Sequence, residues 1–167
     1  PHATVSSIFV PNSLWWELER RLLLVFLGKA HQSSAVHQQV IAGLEQAGPH
    51  HTALDRLRGT AEMARDAVYA GDFAALGRSM TMNTNAQGDL HPALISPEAH
   101  EVIEIARAHG ALGWKVNGAG GDGGSLTLLA GPITSEKRAL IRAVEEANPL
   151  YKCLPIYLSR FGLRVWE

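Results

Sequence analysis

The chain has 167 residues, 46% of them hydrophobic and 19% charged, which is enough to enclose one globular core without a disulfide or metal staple. Fifteen Lys plus Arg stand against sixteen Asp plus Glu, a net charge of -1 without a basic run or acidic tract, so a nucleic-acid partner is disfavoured. Cys153 is the only cysteine, which excludes an intrachain disulfide scaffold and makes a cytoplasmic setting the expectation. The longest apolar run, residues 22–27, is far below the ~18 residues of a membrane span, so no membrane partner is expected.

Residues 4–10 are a short segment rich in β-branched residues before Pro11-Asn12, the pattern of a strand ending in a turn. Ser13 is placed to cap a short amphipathic turn through Leu14, Trp15 and Leu18. The unbroken run 22–27 fits a strand buried on both faces and stopped by Gly28. In 34–46, Val36, Val40, Ile41 and Leu44 make one helical stripe, ended by Gly48-Pro49. Thr52 with Asp55 opens another helix, whose inward face reads as Leu54, Leu57, Ala61, Ala64 and Val68 up to Gly71. Asp72 caps the next, with Phe73, Leu76 and Met80 inward and an end near Gln87-Gly88. Ser96-Pro97-Glu98 is a helix start with proline at the first helical position, and Ala99, Val102, Ile103 and Ala106 then face inward until Gly110.

From Leu112 the period changes to two. Leu112, Trp114 and Val116 share a face, a glycine-rich loop follows, and Leu126, Leu128 and Ala130 alternate again. Thr134 or Ser135 opens a helix with Leu140, Ile141, Val144 and Ala147 on one side, ended by Asn148-Pro149. Residues 154–158 read as a last strand, extendable at 163–166. Strands at both ends around a run of helices predict an α+β layered domain, with helices packed on one face of a mostly antiparallel sheet. No repeat or linker divides it, so residues 1–167 form a single domain, and Pro1, which is not an initiator, suggests a piece of something longer.

Gly118-Ala119-Gly120-Gly121-Asp122-Gly123-Gly124 is the segment whose composition demands an explanation, because five glycines in seven residues cost backbone entropy without adding core contacts. It matches G-x-G-x-x-G, but a dinucleotide loop must pass from a strand into a helix, and here Ser125 onward reads as a strand and Gly131-Pro132 interrupts any helix. No Lys-Ser or Lys-Thr follows, so the Walker A pattern fails as well. Two functional readings remain, a nest of inward N–H groups for phosphate or a close approach by another backbone, beside the plain one of a flexible hairpin connection.

The stretch from Gly113-Trp114-Lys115-Val116-Asn117 through this loop to Ser125-Leu126 resembles the third motif of the GHMP kinases, the galactokinase, homoserine, mevalonate and phosphomevalonate kinase superfamily. That motif runs as a small residue, Lys, Val or Ile, Thr or Ser, then Gly-Ala-Gly-Gly-Gly-Gly before a hydrophobic strand. Asn117 stands where a hydroxyl residue is usual, and Asp122 where a glycine is usual. Val25-Phe26-Leu27-Gly28-Lys29 followed by Ser33-Ser34 resembles the opening of the C-terminal domain in sugar-type members. Asn83, Leu90-His91-Pro92 and Ser96-Pro97 resemble the corresponding stretch of heptose-phosphate kinases.

The resemblance implies a ferredoxin-like C-terminal domain, in agreement with the layered architecture. It implies ATP and Mg²⁺ as requirements of the full-length enzyme, a sugar or sugar phosphate as substrate, and the protein's own N-terminal domain as partner, with a homodimer left open. The main phosphate loop and any general base belong to that N-terminal domain, so no catalytic residue is assigned in this chain and the chain alone is expected to be inactive. Gly118, Ala119, Gly120, Gly121, Asp122, Gly123 and Gly124 would support the nucleotide phosphates, and Asp122 beside phosphate repels it unless a cation intervenes. Lys29, His31, Ser33 and Ser34, just past the buried strand, are substrate-binding candidates, with a solvated helix start as the plain alternative. Asn83 and Asn85 are candidates for sugar hydroxyls, against fraying at a helix end. Eight histidines, including His50-His51, show no H-x-x-x-H pair or Cys/His group, so no metal site is assigned. Trp15, Trp16 and Trp114 read as core or interface. The other readings are a different GHMP chemistry, such as homoserine kinase or diphosphomevalonate decarboxylase, and a non-catalytic ferredoxin-like binding or dimerisation module.

Overall fold

A computed structural model describes residues 8–29, 33–47, 52–118, 123–159 and 165. Its elements run α1 (Asn12–Arg21), β1 (Leu22–Phe26), α2 (Ser33–Ala47), α3 (Thr52–Ala70), α4 (Phe73–Leu90), a single 3-10 turn (Pro92–Leu94), α5 (Pro97–Ala108), β2 (Gly113–Asn117), β3 (Ser125–Leu129), α6 (Thr134–Ala147) and β4 (Lys152–Pro155). The strands form one antiparallel sheet in the order β2-β3-β1-β4. This is the expected α+β layered domain.

The main core lies on one face of the sheet, and a smaller cluster joins Leu22 and Leu129 to Ala67 and Leu76. Register places Leu23 opposite Leu128 and Val25 opposite Leu126, and on the other side of β3 Trp114 opposite Leu128 and Val116 opposite Leu126. These side chains are buried against Ala99, Val102, Ile103 and Ala106 of α5 and Leu140 and Val144 of α6. Both helices present small and branched residues at three- and four-residue spacing, which lets them lie close to the pleated surface. Ser96 caps α5 by accepting a hydrogen bond from the Ala99 N–H at 3.1 Å, and Asp72 caps α4 through the Ala75 N–H at 2.8 Å, as their sequence signals predict.

Helix α4 lies along the free edge of β2 rather than across the sheet face. At Gly77 and Gly113 the two backbones touch: a Cβ on Gly77 would overlap the Leu112 carbonyl, and a Cβ on Gly113 the Gly77 carbonyl. Two turns on, the buried Thr84 hydroxyl accepts from the Val116 N–H at 3.1 Å and donates to the Trp114 carbonyl at 3.2 Å. A side chain thereby supplies the hydrogen bonds that a further strand would have made.

Several expectations shift. Residues 8–10 are not a strand, and 4–7 lie outside the described residues, as does most of the proposed 163–166 extension. Ser13 caps nothing: α1 is a full helix whose N-cap position is Pro11, without a side-chain cap bond. β1 is fully buried on one face only: on the other, Leu24 and Phe26 stand opposite Thr127 and Ser125, while half-buried Leu22 stands opposite Leu129 in the smaller cluster. The buried positions of α3 are Ala53, Thr60 and Ala67. Their seven-residue spacing marks a close contact with α4, and Leu54 and Ala61 turn outward. α4 runs past Gly88 to Leu90, and β4 is Lys152–Pro155 rather than 154–158, its register set by Phe26 opposite Lys152. Trp114 is core, whereas Trp16 is 65% exposed.

Candidate functional site

The loop of residues 118–124 joins β2 to β3 at one end of the sheet. Its described residues Gly118, Gly123 and Gly124 have φ of 66°, 147° and 87°, a region that L side chains disfavour and glycine accepts. Ala119, Gly120, Gly121 and Asp122 lie outside the described residues. The Gly124 N–H donates to the Lys29 carbonyl at 2.8 Å, and the Gly124 carbonyl accepts from the Leu27 N–H at 3.0 Å. A Cβ on Gly123 would stand 2.6 Å from the Lys29 carbonyl oxygen. The far end of the loop is thus bound to the chain that leaves β1, and the Gly124 amide is committed to Lys29 rather than open to a ligand.

The near end of the loop is held from α4. Gln87 donates through Nε2 to the Gly118 carbonyl at 2.9 Å and accepts, at Oε1, from Lys115 Nζ at 2.8 Å. Lys115 Nζ also donates to the Val116 carbonyl at 2.5 Å. Burial lowers the pKa of this ammonium from its ordinary 10.5. Beside it is a cavity of about 400 Å³ walled by α2, α3 and α4, with Val40, Leu57, Leu90 and Leu94 apolar and Asn83, Gln87 and His37 polar. Asn117, the departure from the usual hydroxyl residue, donates through Nδ2 to Ser125 Oγ at 3.1 Å and Thr127 Oγ1 at 3.0 Å, and accepts from the same Thr127 hydroxyl at 3.1 Å. Its amide ties the two strands together at the root of the loop.

The candidates from sequence separate into three places. Lys29 stands at the Gly123–Gly124 end, with Nζ 3.9 Å from Glu98 Oε1 and a side chain 63% exposed, so the pair is weak. His31 lies outside the described residues, as do the side chains of Ser33 and Ser34, whose backbone opens α2. Asn83 lines the cavity beside Lys115 and donates to Thr60 Oγ1 at 2.8 Å. Asn85 is exposed and borders other grooves, one of them with Arg107 and Trp114, so it does not join Asn83. Lys115 and Gln87 carried no assignment from sequence. Lys115 could have been singled out as the one charged residue of β2. Among the described residues, no three His, Cys, Asp or Glu side chains gather into a group that could hold a metal ion. No described helix is long and apolar enough to cross a membrane.

The family model for the C-terminal part of the GHMP kinases matches residues 64–149. The chain belongs to that family. Among solved structures, mevalonate kinase from L. major in complex with R-mevalonate is 25% identical, with a TM-score of 0.64 over 77% of this chain and 39% of that one. Streptococcus pneumoniae phosphomevalonate kinase with phosphomevalonate and AMPPNP is 16% identical, with a TM-score of 0.66 over 81% of this chain and 39% of that one. A D-glycero-D-manno-heptose 1-phosphate kinase from Bacteroides thetaiotaomicron is 16% identical, with a TM-score of 0.52 over 91% of this chain and 37% of that one. The chain therefore spans about two fifths of the length of these structures. No curated protein matches.

Proposed function

We propose that this domain is the acceptor-side half of an ATP-dependent small-molecule kinase, acting with an N-terminal domain that carries the main phosphate loop and any general base. The reaction is phosphoryl transfer: a hydroxyl oxygen of a sugar or sugar phosphate bonds to the γ-phosphorus, the bond from that phosphorus to the β–γ bridging oxygen breaks, ADP departs, and the hydroxyl proton is released. Such chemistry depends on positioning and charge stabilisation more than on covalent help from the protein. The observation that carries the reading is the glycine loop gripped at both roots, by Gln87 at Gly118 and by Lys29 and Leu27 at Gly124, with a cavity directly against its near root. Roots held in this way lower the ordering cost of whatever binds between them.

ATP is the phosphoryl donor in this reading, and AMPPNP in the Streptococcus pneumoniae relative supports that choice. Mg²⁺ would accompany the nucleotide, although no three His, Cys, Asp or Glu side chains among the described residues gather to hold it. A hydroxy acid is the second acceptor class, favoured by the 25% identity to the L. major mevalonate kinase. The test is a transfer assay with the protein joined to its N-terminal domain, run against neutral sugars, sugar phosphates and hydroxy acids. Labelled phosphate should appear on one of these classes, and the 167-residue chain alone should transfer none. Absence of transfer to every acceptor, with ATP bound, would leave a non-catalytic binding module as the better description.

A further inference from the structure

We propose that Lys115 and the cavity beside Gly118 bind the anionic group, a carboxylate or a phosphate monoester, of the acceptor molecule. The proposal rests on the kinase reading only for the word acceptor; the anion site stands on its own geometry. An ammonium carries three donors. Two of those on Lys115 go to neutral oxygens, of Gln87 and Val116, and among the described residues no carboxylate pairs with it or lines the cavity. Burial disfavours a charge left without a counter-charge, and here it depresses the lysine pKa. A small anion in the cavity would take the third donor and supply a counter-charge that no described residue provides.

The opposite end of the loop has no such vacancy, because Lys29 already faces Glu98. The cavity's shape adds to the chemistry. At about 400 Å³ it falls toward the small end of the ~300–1,000 Å³ range of small-molecule sites, and Leu57, Leu90 and Leu94 offer a wall for a few carbons rather than for a polymer. Asn83 and Gln87 add neutral polar groups that can meet an anion or hydroxyl without repelling it. A neutral sugar would leave the ammonium without an anionic partner among the described residues, so the site favours acidic acceptors.

The experiment titrates the 167-residue chain with inorganic phosphate, acetate, glucose 6-phosphate and glucose, following the Lys115 side-chain NMR signal and the backbone fingerprint. Phosphate or acetate should move the Lys115 signal and raise its pKa, the stronger of the two arms naming the anion, while glucose should do neither. Lys115→Met should weaken anion binding about tenfold, the loss of one charge-assisted hydrogen bond, and Lys115→Arg should keep most of it. Gln87→Glu supplies an internal carboxylate while keeping the lysine, and should weaken anion binding even if Lys115→Met folds poorly. Anion affinity unchanged in Gln87→Glu, or a Lys115 pKa that ignores every anion, overturns the proposal. Transfer by the longer protein with an acceptor KM untouched by Lys115→Met would defeat the anion site and leave the kinase reading standing. Anion binding without transfer would do the reverse.

Discussion

The sheet has two edge strands, and the chain finishes them in opposite ways. β2 is sealed by α4 through backbone contact at Gly77 and Gly113, the buried Thr84 hydroxyl on Trp114 and Val116, and the Gln87 bridge to Lys115 and Gly118. Among the described residues no strand pairs with the outer edge of β4, and Lys152, Leu154 and Pro155 are exposed along it. A charged residue and a proline blunt an open edge against pairing with another chain, so β4 needs no cover. β2 leads directly into the glycine loop. Covering its edge with a helix fixes the root of that loop and at the same time builds the cavity beside it. The difference teaches that covering the β2 edge also shapes the candidate site, whereas the β4 edge carries only a charged residue and a proline that disfavour strand pairing.

The largest effect is expected at the glycine contact. Gly77→Val or Gly113→Val puts a branched side chain into a carbonyl of the opposing backbone, which a flexible tip could evade but a main chain cannot. The expected loss is about 3 kcal/mol or more in urea unfolding. A change below 1 kcal/mol would mean that α4 can lift from β2 without cost, and that the two edges are finished alike.

Next is Thr84→Val, close to isosteric, which strands the Trp114 carbonyl and the Val116 N–H in a buried site. About 1–3 kcal/mol should be lost, with most of it restored by Thr84→Ser. Faster amide exchange at Val116 than at its β3 neighbours would locate the damage at the edge. If Thr84→Ser is no better than Thr84→Val, methyl packing rather than the hydroxyl holds the helix.

This asymmetry also explains what could be read from the sequence. α5 and β1 were legible because their signals are local: Ser96-Pro97 starts one, and an apolar run ended by Gly28 marks the other. The α3–α4 contact was not, since Ala53, Thr60 and Ala67 bury small residues that an apolar stripe overlooks. β4 was misplaced by two residues at its start because at an open edge polar residues are tolerated, so hydrophobic pattern does not fix register. At the site, the glycine loop stood out by composition, but Lys115 and Gln87 did not, because their meeting depends on α4 lying along β2, a contact between residues far apart in the chain.

A smaller, pH-dependent effect belongs to the β4 side. Burial, and then Glu145, push the Cys153 thiol from 9.0 up to about 11, and burial with the hydrogen bond to Glu101 pushes Tyr151 up from 10.0. Both groups keep protons in the folded state that the unfolded chain gives up, so stability should fall as pH rises above 9, with the Cys153 share complete near 11. Cys153→Ala should flatten part of that decline. At pH 8 the native thiol should react with iodoacetamide far more slowly than in urea. Equal rates would show that β4 opens freely, a looser edge than its pairing with β1 suggests.

The smallest effect is expected at Leu154. It stands opposite Leu24 on the sheet face away from the core, and it is 44% exposed. Leu154→Thr keeps a β-favouring side chain and gives up only part of a leucine's burial, so urea unfolding of the 167-residue chain should change by about 0.5 kcal/mol. The value matters because it calibrates the other edge: Thr84→Val removes no more atoms, yet is expected to cost several times as much. A loss above about 2 kcal/mol at Leu154, in the range of core truncations, would mean that this face is covered after all. The contrast between the edges would then lie in what covers them, not in whether they are covered.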